Sequence, residues 1–93
     1  MTIDIDDAVK RLADCAGCTE YDLVHSRRAL PSALRQLLWE YLYCNGMHPR
    51  DIAAAFKHDR TTVLWGIQHA YTISAENGYK NERELFLTAM DLN

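Results

Sequence analysis

The chain has 93 residues and a formal net charge of −3; 48% of its residues are hydrophobic and 25% are charged. This composition is that of an ordinary folded protein of one domain, and it excludes a disordered chain and a typical multi-domain enzyme. No apolar run approaches the roughly 20 residues of a membrane-spanning helix, and the start, "MTIDIDDAVKR", is acidic where a secretion signal is basic and then apolar, so we expect a cytoplasmic protein with no membrane partner.

Two helices are predicted in the first quarter of the chain. Residues 4–16 carry apolar side chains at helical spacing, at positions 5, 9, 12, 13 and 16, and Gly17 can close this helix. Thr19, followed three residues later by Asp22, resembles a capping box for a short turn that ends near residue 24. The next residues, "HSRRA", are predicted to form a loop.

A long central helix is predicted from "PSALRQLLWEYLYCNG", because Pro31 fits the first helical turn and leucines and tyrosines then form an apolar stripe. "HPRDIAAAFKH" gives about two further helical turns. After two or three residues, a helix over 59–70 follows, with Asp59 as its N-cap and its carboxylate accepting amide hydrogens near Thr61. A last helix is predicted over 81–92.

No stretch alternates with period two for long enough to form a strand, and no repeat or linker divides the chain. The sequence therefore predicts one compact all-α domain over residues 1–93, with five or six helices. Trp39 and Trp65 are expected to be core or half-buried anchors.

A short helix with three consecutive alanines, a tight turn and a second helix with a polar start is the arrangement of a helix-turn-helix, whose second helix enters the major groove of DNA. In "HDRTT", Arg60 can contact guanine or a phosphate, while Thr61 and Thr62 can bond bases and offer methyl groups to thymine. His58 and His69 are interpreted as polar surface of this binding helix. The alternative is that these polar residues only cap a helix.

The charges are unevenly distributed along the chain. Residues 1–24 and 71–93 carry formal charges of −4 and −2, whereas residues 25–70 carry +3. The basic middle can meet an anion such as DNA, and the acidic ends would repel one. A mixed solvated surface would give the same distribution.

The three cysteines are predicted to be reduced thiols, because their number is odd and no secretion signal is present. Cys15 and Cys18 form a CxxC pair, which is half of many zinc sites, but further ligands such as Cys44 and His48 are scattered. Core packing is therefore the preferred interpretation of the pair, and no metal is predicted.

The sequence gives little support for an enzyme. The four glycines include no GxxxxGK[ST] phosphate loop. No histidine has a nucleophile and an orienting carboxylate in a recognisable pattern. We expect a protein that is not an enzyme and binds no cofactor.

Two motifs resemble the C-terminal DNA-binding domain of the bacterial replication initiator DnaA. The family carries an element of the type "AF–GGRDHTTVLHA", where this chain has "AFKHDRTTVLWG". Upstream, the family's "DLLSKRRS" corresponds to "DLVHSRRA", which places Arg27 and Arg28 on the family's paired arginines. The two elements occur in the family's order, about thirty residues apart, and the resemblance covers roughly residues 5–75.

The resemblance implies a Trp-repressor-like domain that reads duplex DNA with the helix at 59–70 in the major groove and the paired arginines in the neighbouring minor groove. It also implies a phosphate contact near Arg35, and DNA binding without ATPase activity. The predicted DNA-binding residues are Arg27, Arg28, Arg35, Lys57, His58, Asp59, Arg60, Thr61 and Thr62.

The chain departs from the family at three positions of the turn and helix start. Arg60 stands where the family has a base-reading histidine, His58 replaces its arginine, and Lys57 stands in place of two glycines. Because arginine at a base-reading position favours a different base from histidine, the preferred DNA site is expected to differ from the usual initiator box.

Three hypotheses of function follow. The first is a DNA-binding domain that acts in replication initiation or as a transcription regulator at related sites. The second is an adaptor that keeps the fold and binds a protein partner through the helix-turn-helix face or the acidic termini. The third is a metal or redox protein built on Cys15 and Cys18.

Overall fold

The computed structural model describes residues 3–76 and 78–92. Of these residues, 76% lie in six helices and none lies in a strand, so the predicted all-α class is confirmed. The helices are α1 Ile5–Ala16, α2 Glu20–His25, α3 Ala29–Cys44, α4 Pro49–Phe56, α5 Arg60–Ala75 and α6 Lys80–Ala89. Among the described residues, no helix combines the length and the apolarity needed to cross a bilayer.

Helix α3 is the centre of the fold, because it contacts each of the other five described helices and packs most extensively against α5. Its side chains are buried on several faces, and Leu34, Leu38 and Trp39 are almost completely inaccessible. A helix with buried residues on several faces is typical of a position inside a bundle, even though two of the buried residues here, Arg35 and Gln36, are polar. The predicted central helix is thus confirmed.

The close packing of α5 on α3 depends on Gly66. A Cβ atom at this position would lie 2.7 Å from Cε3 and 2.8 Å from Cζ3 of the buried Trp39 ring. Such distances are far inside van der Waals contact, so an added methyl group would force the ring or the helix to shift. Gly66 therefore helps to set where α5, and with it the start of α5, lies relative to the core.

The bounds of three predicted helices differ from the structure. Helix α3 begins at Ala29, two residues before its predicted start at Pro31 and inside the segment that was predicted to be a loop. Helix α5 continues to Ala75, five residues beyond its predicted end, and α6 spans Lys80–Ala89 where residues 81–92 were predicted. No glycine or proline interrupts residues 67–75, and Ala70 is buried, so both propensity and packing extend α5.

The predicted burial of Trp65 was wrong, since 58% of its surface is exposed. The buried positions of α5 are Val63, Gly66, Ile67 and Ala70, and Trp65 lies away from that face. Its ring instead stacks on His69, with centroids 4.6 Å apart.

The predicted core packing of the CxxC cysteines was wrong for Cys15, which is exposed at the end of α1, with Sγ 3.8 Å from the Leu85 carbonyl oxygen. Cys18 is half-buried against the core. Cys15 lies beside the buried stripe of α1, which continues from Leu12 and Ala13 to the partly buried Ala16.

Candidate nucleic-acid interface

The loop between α2 and α3 exposes Arg27 and Arg28 to solvent. The Arg28 amide donates a hydrogen bond to Oγ of Ser26 at 3.1 Å, which shapes the loop before α3 begins. The Arg28 guanidinium lies 3.6 Å from the Asp22 carboxylate, and the two side chains are 70% and 38% exposed. An ion pair of this kind is weak, so Arg28 can exchange Asp22 for an external anion.

The turn between α4 and α5 places Lys57 in the left-handed conformation, with φ 56° and ψ 43°. The Lys57 amide donates to the Ala54 carbonyl at 3.4 Å, and the His58 amide donates to the Ala53 carbonyl at 3.0 Å. These two bonds are those of a Schellman motif, which favours glycine at the left-handed position. The chain nevertheless has an exposed lysine there.

Helix α5 begins immediately after this turn, with Asp59 in the N-cap position as predicted. The Asp59 side chain makes no capping hydrogen bond within the described part of the chain, so the predicted acceptance of amide hydrogens by its carboxylate was wrong. Asp59, Arg60, Thr61 and Thr62 are all exposed. The start of α5 therefore presents a carboxylate, a guanidinium and two hydroxyl groups to solvent.

His58 differs from its neighbours because it is half-buried. Its Nε2–H donates to the Val24 carbonyl of α2 at 2.7 Å, since a carbonyl oxygen can only accept. Its ring stacks on His25, with centroids 5.3 Å apart, and meets the Trp39 ring edge-on at 5.2 Å. The α4–α5 turn is thus in direct contact with the last turn of α2.

Arg35 lies in the interior, with 8% of its surface exposed. Nη1 donates to the Leu23 carbonyl at 2.8 Å and Nη2 donates to the Ser26 carbonyl at 3.0 Å. Burial lowers the pKa of its guanidinium from the ordinary value, although an arginine stays charged near neutral pH. This placement does not suit the phosphate contact that the resemblance implied for Arg35, because the side chain is buried and both of its terminal nitrogens already donate to carbonyl groups of the protein.

The two motifs that carry the family resemblance meet in the folded chain. We define the basic surface as the four exposed cationic residues of the two segments, Arg27, Arg28, Lys57 and Arg60. The carboxylates of Asp22 and Asp59 belong to the same two segments, and those of Asp6 and Glu20 line a cavity together with Lys57, so four carboxylates lie near the four cations.

A second surface was missed by the sequence reasoning. Between α3 and α5 lies a groove of about 520 Å³, which we call the apolar groove; its lining residues are Glu40, Tyr43, Cys44, Leu64, Ile67, Gln68 and Tyr71. Tyr43, Leu64 and Tyr71 have 50%, 42% and 70% of their surfaces exposed. The sequence alone did not single out these three residues, because their exposure depends on how α3 and α5 pack against each other.

Among the described residues, 3–76 and 78–92, no three His, Cys, Asp or Glu side chains lie close enough together to hold a metal ion. The three cysteines are free thiols. Burial, and secondarily the charge of Asp22, raises the pKa of the Cys18 thiol.

Comparisons with models of protein families, with curated proteins and with solved structures find no match to this chain. The likeness to the initiator domain therefore rests on the two quoted motifs.

Proposed function

We propose that this protein binds duplex DNA in a sequence-dependent manner through the basic surface. The start of α5 enters the major groove, as the second helix of a helix-turn-helix does, and the Arg27–Arg28 loop meets the neighbouring minor groove. The protein acts in replication initiation or as a regulator at related DNA sites.

The observation that supports this proposal most directly is the contact between the two motifs. The bond from His58 to the Val24 carbonyl, 2.7 Å long, brings a turn with Lys57 next to a loop with Arg28. The cations of both segments are exposed. Two cationic segments from distant parts of the chain can therefore contact one duplex together.

The exposed groups at the start of α5 suit the reading of base edges. Arg60 can donate two hydrogen bonds to a guanine, and Thr62 can bond a base or contact a thymine methyl group. The Asp59 carboxylate makes no capping bond, which leaves it able to accept a hydrogen bond from a cytosine amino group. Lys57 and the loop arginines supply phosphate or minor-groove contacts that position the helix.

A binding titration with random-sequence duplexes at several salt concentrations tests the proposal. If three or four of the basic-surface residues contact phosphates, the logarithm of the binding constant should fall with the logarithm of salt concentration with a slope of about −3 to −4. Binding that is absent, or that does not weaken with salt, would overturn the proposal.

The DNA sequence preference is tested by selection of sites from a random pool with the wild type and with Arg60→His. Because Arg60 is the departure from the family at a base-reading position, we expect a guanine in the wild-type consensus, and a shift toward the usual initiator box in the variant. Identical consensus sequences would show that Arg60 reads no base.

A protein-binding role is the second candidate function, and the apolar groove favours it. Tyr43, Leu64 and Tyr71 are large apolar residues that are exposed and line one groove, and clustered exposed apolar residues on a monomer can mark a binding site. The acidic ends of the chain could add charge contacts to such a partner. Substitution of Tyr71 by Glu separates the two functions, because Tyr71 lines the groove and lies about three helical turns from Arg60. It should abolish an association made through the groove and leave a salt-dependent DNA complex intact.

A further inference from the structure

Helix α2 is too short to be stable without partners, and its last carbonyl groups are satisfied from outside the helix. It has six residues, Glu20–His25, and isolated helices of this length do not persist in water. The carbonyl groups of the last turn have no partner within a helix. In α2, the Leu23 carbonyl accepts from Arg35 of α3, and the Val24 carbonyl accepts from His58 of the α4–α5 turn.

We infer that His58 is a positioning residue for DNA binding, which holds the Arg27–Arg28 loop at a fixed place relative to the start of α5. This inference rests on the proposed function, and it replaces the expectation that His58 itself contacts DNA. The ring nitrogen that bonds Val24 is already used inside the protein, and the ring is enclosed between His25 and Trp39.

Two side chains share the task of holding the loop. Arg35 bonds the Leu23 and Ser26 carbonyls from one side and thereby ties the loop to the core of α3. His58 is the link to the α4–α5 turn, because its donor reaches α2 while its main-chain amide closes the Schellman motif after α4. Movement of the turn is therefore coupled to movement of the loop.

Fixed spacing between two DNA-contacting segments matters because both must reach their grooves at once. If the link is broken, the loop must be ordered during binding, and the lost conformational freedom reduces the affinity. A positioning role thus predicts that His58 and Arg28 act together, whereas two independent DNA contacts would contribute additively.

The experiment compares two substitutions that separate the ring contacts of His58 from its hydrogen bond. His58→Phe keeps the ring contacts and removes the donor to Val24; His58→Gln keeps an N–H donor and removes the ring. We expect His58→Phe to weaken duplex binding about tenfold, which equals ~1.4 kcal/mol, and His58→Gln to stay much closer to the wild type. Folding of each variant is checked by circular dichroism at the binding temperature.

The matched control is His69→Phe. The interpretation of His69 as polar surface of the binding helix was wrong, because this residue is half-buried. The substitution removes a comparable bond of 3.0 Å to Oε1 of Gln36, while the ring keeps its neighbour Trp65. Since this bond does not join the two DNA-contacting segments, the control should leave the affinity unchanged.

The decisive measurement is a double-mutant cycle of His58→Phe with Arg28→Ala. We expect the loss caused by Arg28→Ala to be much smaller in the His58→Phe background, and amide hydrogen exchange at residues 26–28 of the free protein to be faster in His58→Phe than in His69→Phe.

Additive losses in the cycle, an unchanged affinity of His58→Phe, or a tenfold loss in folded His58→Gln would each overturn the inference. If His58→Phe does not fold, His58→Leu, which also lacks the donor to Val24, takes its place in the affinity measurement and in the cycle. Absence of salt-dependent binding by the wild type would instead overturn the proposed function itself, so the two failures are distinguishable.

Discussion

Two turns of this protein have the same backbone and different side chains. Helix α1 ends at Gly17 and α4 ends at Lys57, both left-handed, with φ 69° and 56°. In each turn the following residue donates its amide hydrogen to the carbonyl five residues earlier, at 3.0 Å. The next helix then starts from Thr19 in the first turn and from Asp59 in the second.

The first turn follows the rules of local stability and the second does not. Gly17 adopts the left-handed conformation without steric cost, and Oγ1 of Thr19 accepts the Asp22 amide hydrogen at 3.0 Å. Lys57 adopts the same conformation against its preference, and Asp59 makes no capping bond. Local rules are broken most often at functional sites, so the comparison favours the second turn as the place where binding occurs.

The largest expected difference between the two turns concerns the first residue of the helix that follows each of them. This residue is Arg60 in α5 and Glu20 in α2. Arg60→Ala should weaken binding to the selected duplex by about 1–3 kcal/mol, because one base contact is lost, while the unfolding temperature stays nearly unchanged. Glu20→Ala is the matched control, because Glu20 is the first residue of α2 as Arg60 is of α5. It should alter the affinity for the duplex little. Both are measured by fluorescence anisotropy and thermal unfolding; equal effects of the two variants would remove the distinction between the turns.

A reciprocal exchange at the left-handed positions tests the backbone part of the comparison. Gly17→Lys should destabilise the protein by about 1–2 kcal/mol, since a side chain then enters the left-handed conformation. Lys57→Gly should stabilise it by about 1 kcal/mol and yet weaken DNA binding about equally for all sequences, with a flatter salt dependence. Urea unfolding and salt titrations provide the readouts, and a Lys57→Gly variant that binds as well as the wild type would contradict a phosphate contact.

The N-cap residues offer a smaller contrast. Thr19→Ala should cost roughly 1 kcal/mol of unfolding free energy, because a capping bond is lost. Asp59→Ala should cost clearly less, because no such bond exists, but it should change the selected DNA sequence if the carboxylate reads a cytosine. A larger stability loss for Asp59→Ala than for Thr19→Ala would show that Asp59 caps α5 in solution.

The smallest expected effect concerns Cys18, the residue that follows Gly17 in the first turn. Burial, and then the charge of Asp22, raises the pKa of its thiol. Iodoacetamide should therefore modify Cys18 more slowly than the exposed Cys15 at mildly alkaline pH, and Asp22→Asn should narrow the difference. Mass spectrometry of timed reactions measures both rates; equal rates in the wild type would contradict the placement of Cys18.

The raised pKa of the Cys18 thiol also determines whether the free energy of unfolding rises or falls with pH. A thiol with a raised pKa in the folded state stabilises the fold fully at pH values below the unfolded pKa. This contribution is lost as pH rises from about the ordinary thiol value of 9.0 through the raised one. The free energy of unfolding should thus fall less steeply above pH 9 in Cys18→Ala than in the wild type.

The sequence by itself determined the helical class and most helix starts. Apolar residues at a spacing of three and four, the closing glycine of α1 and the threonine cap of α2 are local signals, and each acts within one or two helical turns. The exposed cations of the basic surface were also predictable, since charged residues in turns remain in solvent.

Only the tertiary structure decided the roles of Arg35, His58 and Trp65. Whether a long polar side chain points outward or inward depends on which carbonyl groups another helix brings within reach. The two carbonyl groups of α2 that accept such bonds lie 12 and 34 residues away from their donors in sequence. Trp65 lies outside the core because the face of α5 that packs against α3 is formed by other residues, among them Gly66, which contacts the ring of Trp39. Local periodicity identifies the apolar residues of a helix. The packing against helices from distant parts of the chain decides which of these residues are buried.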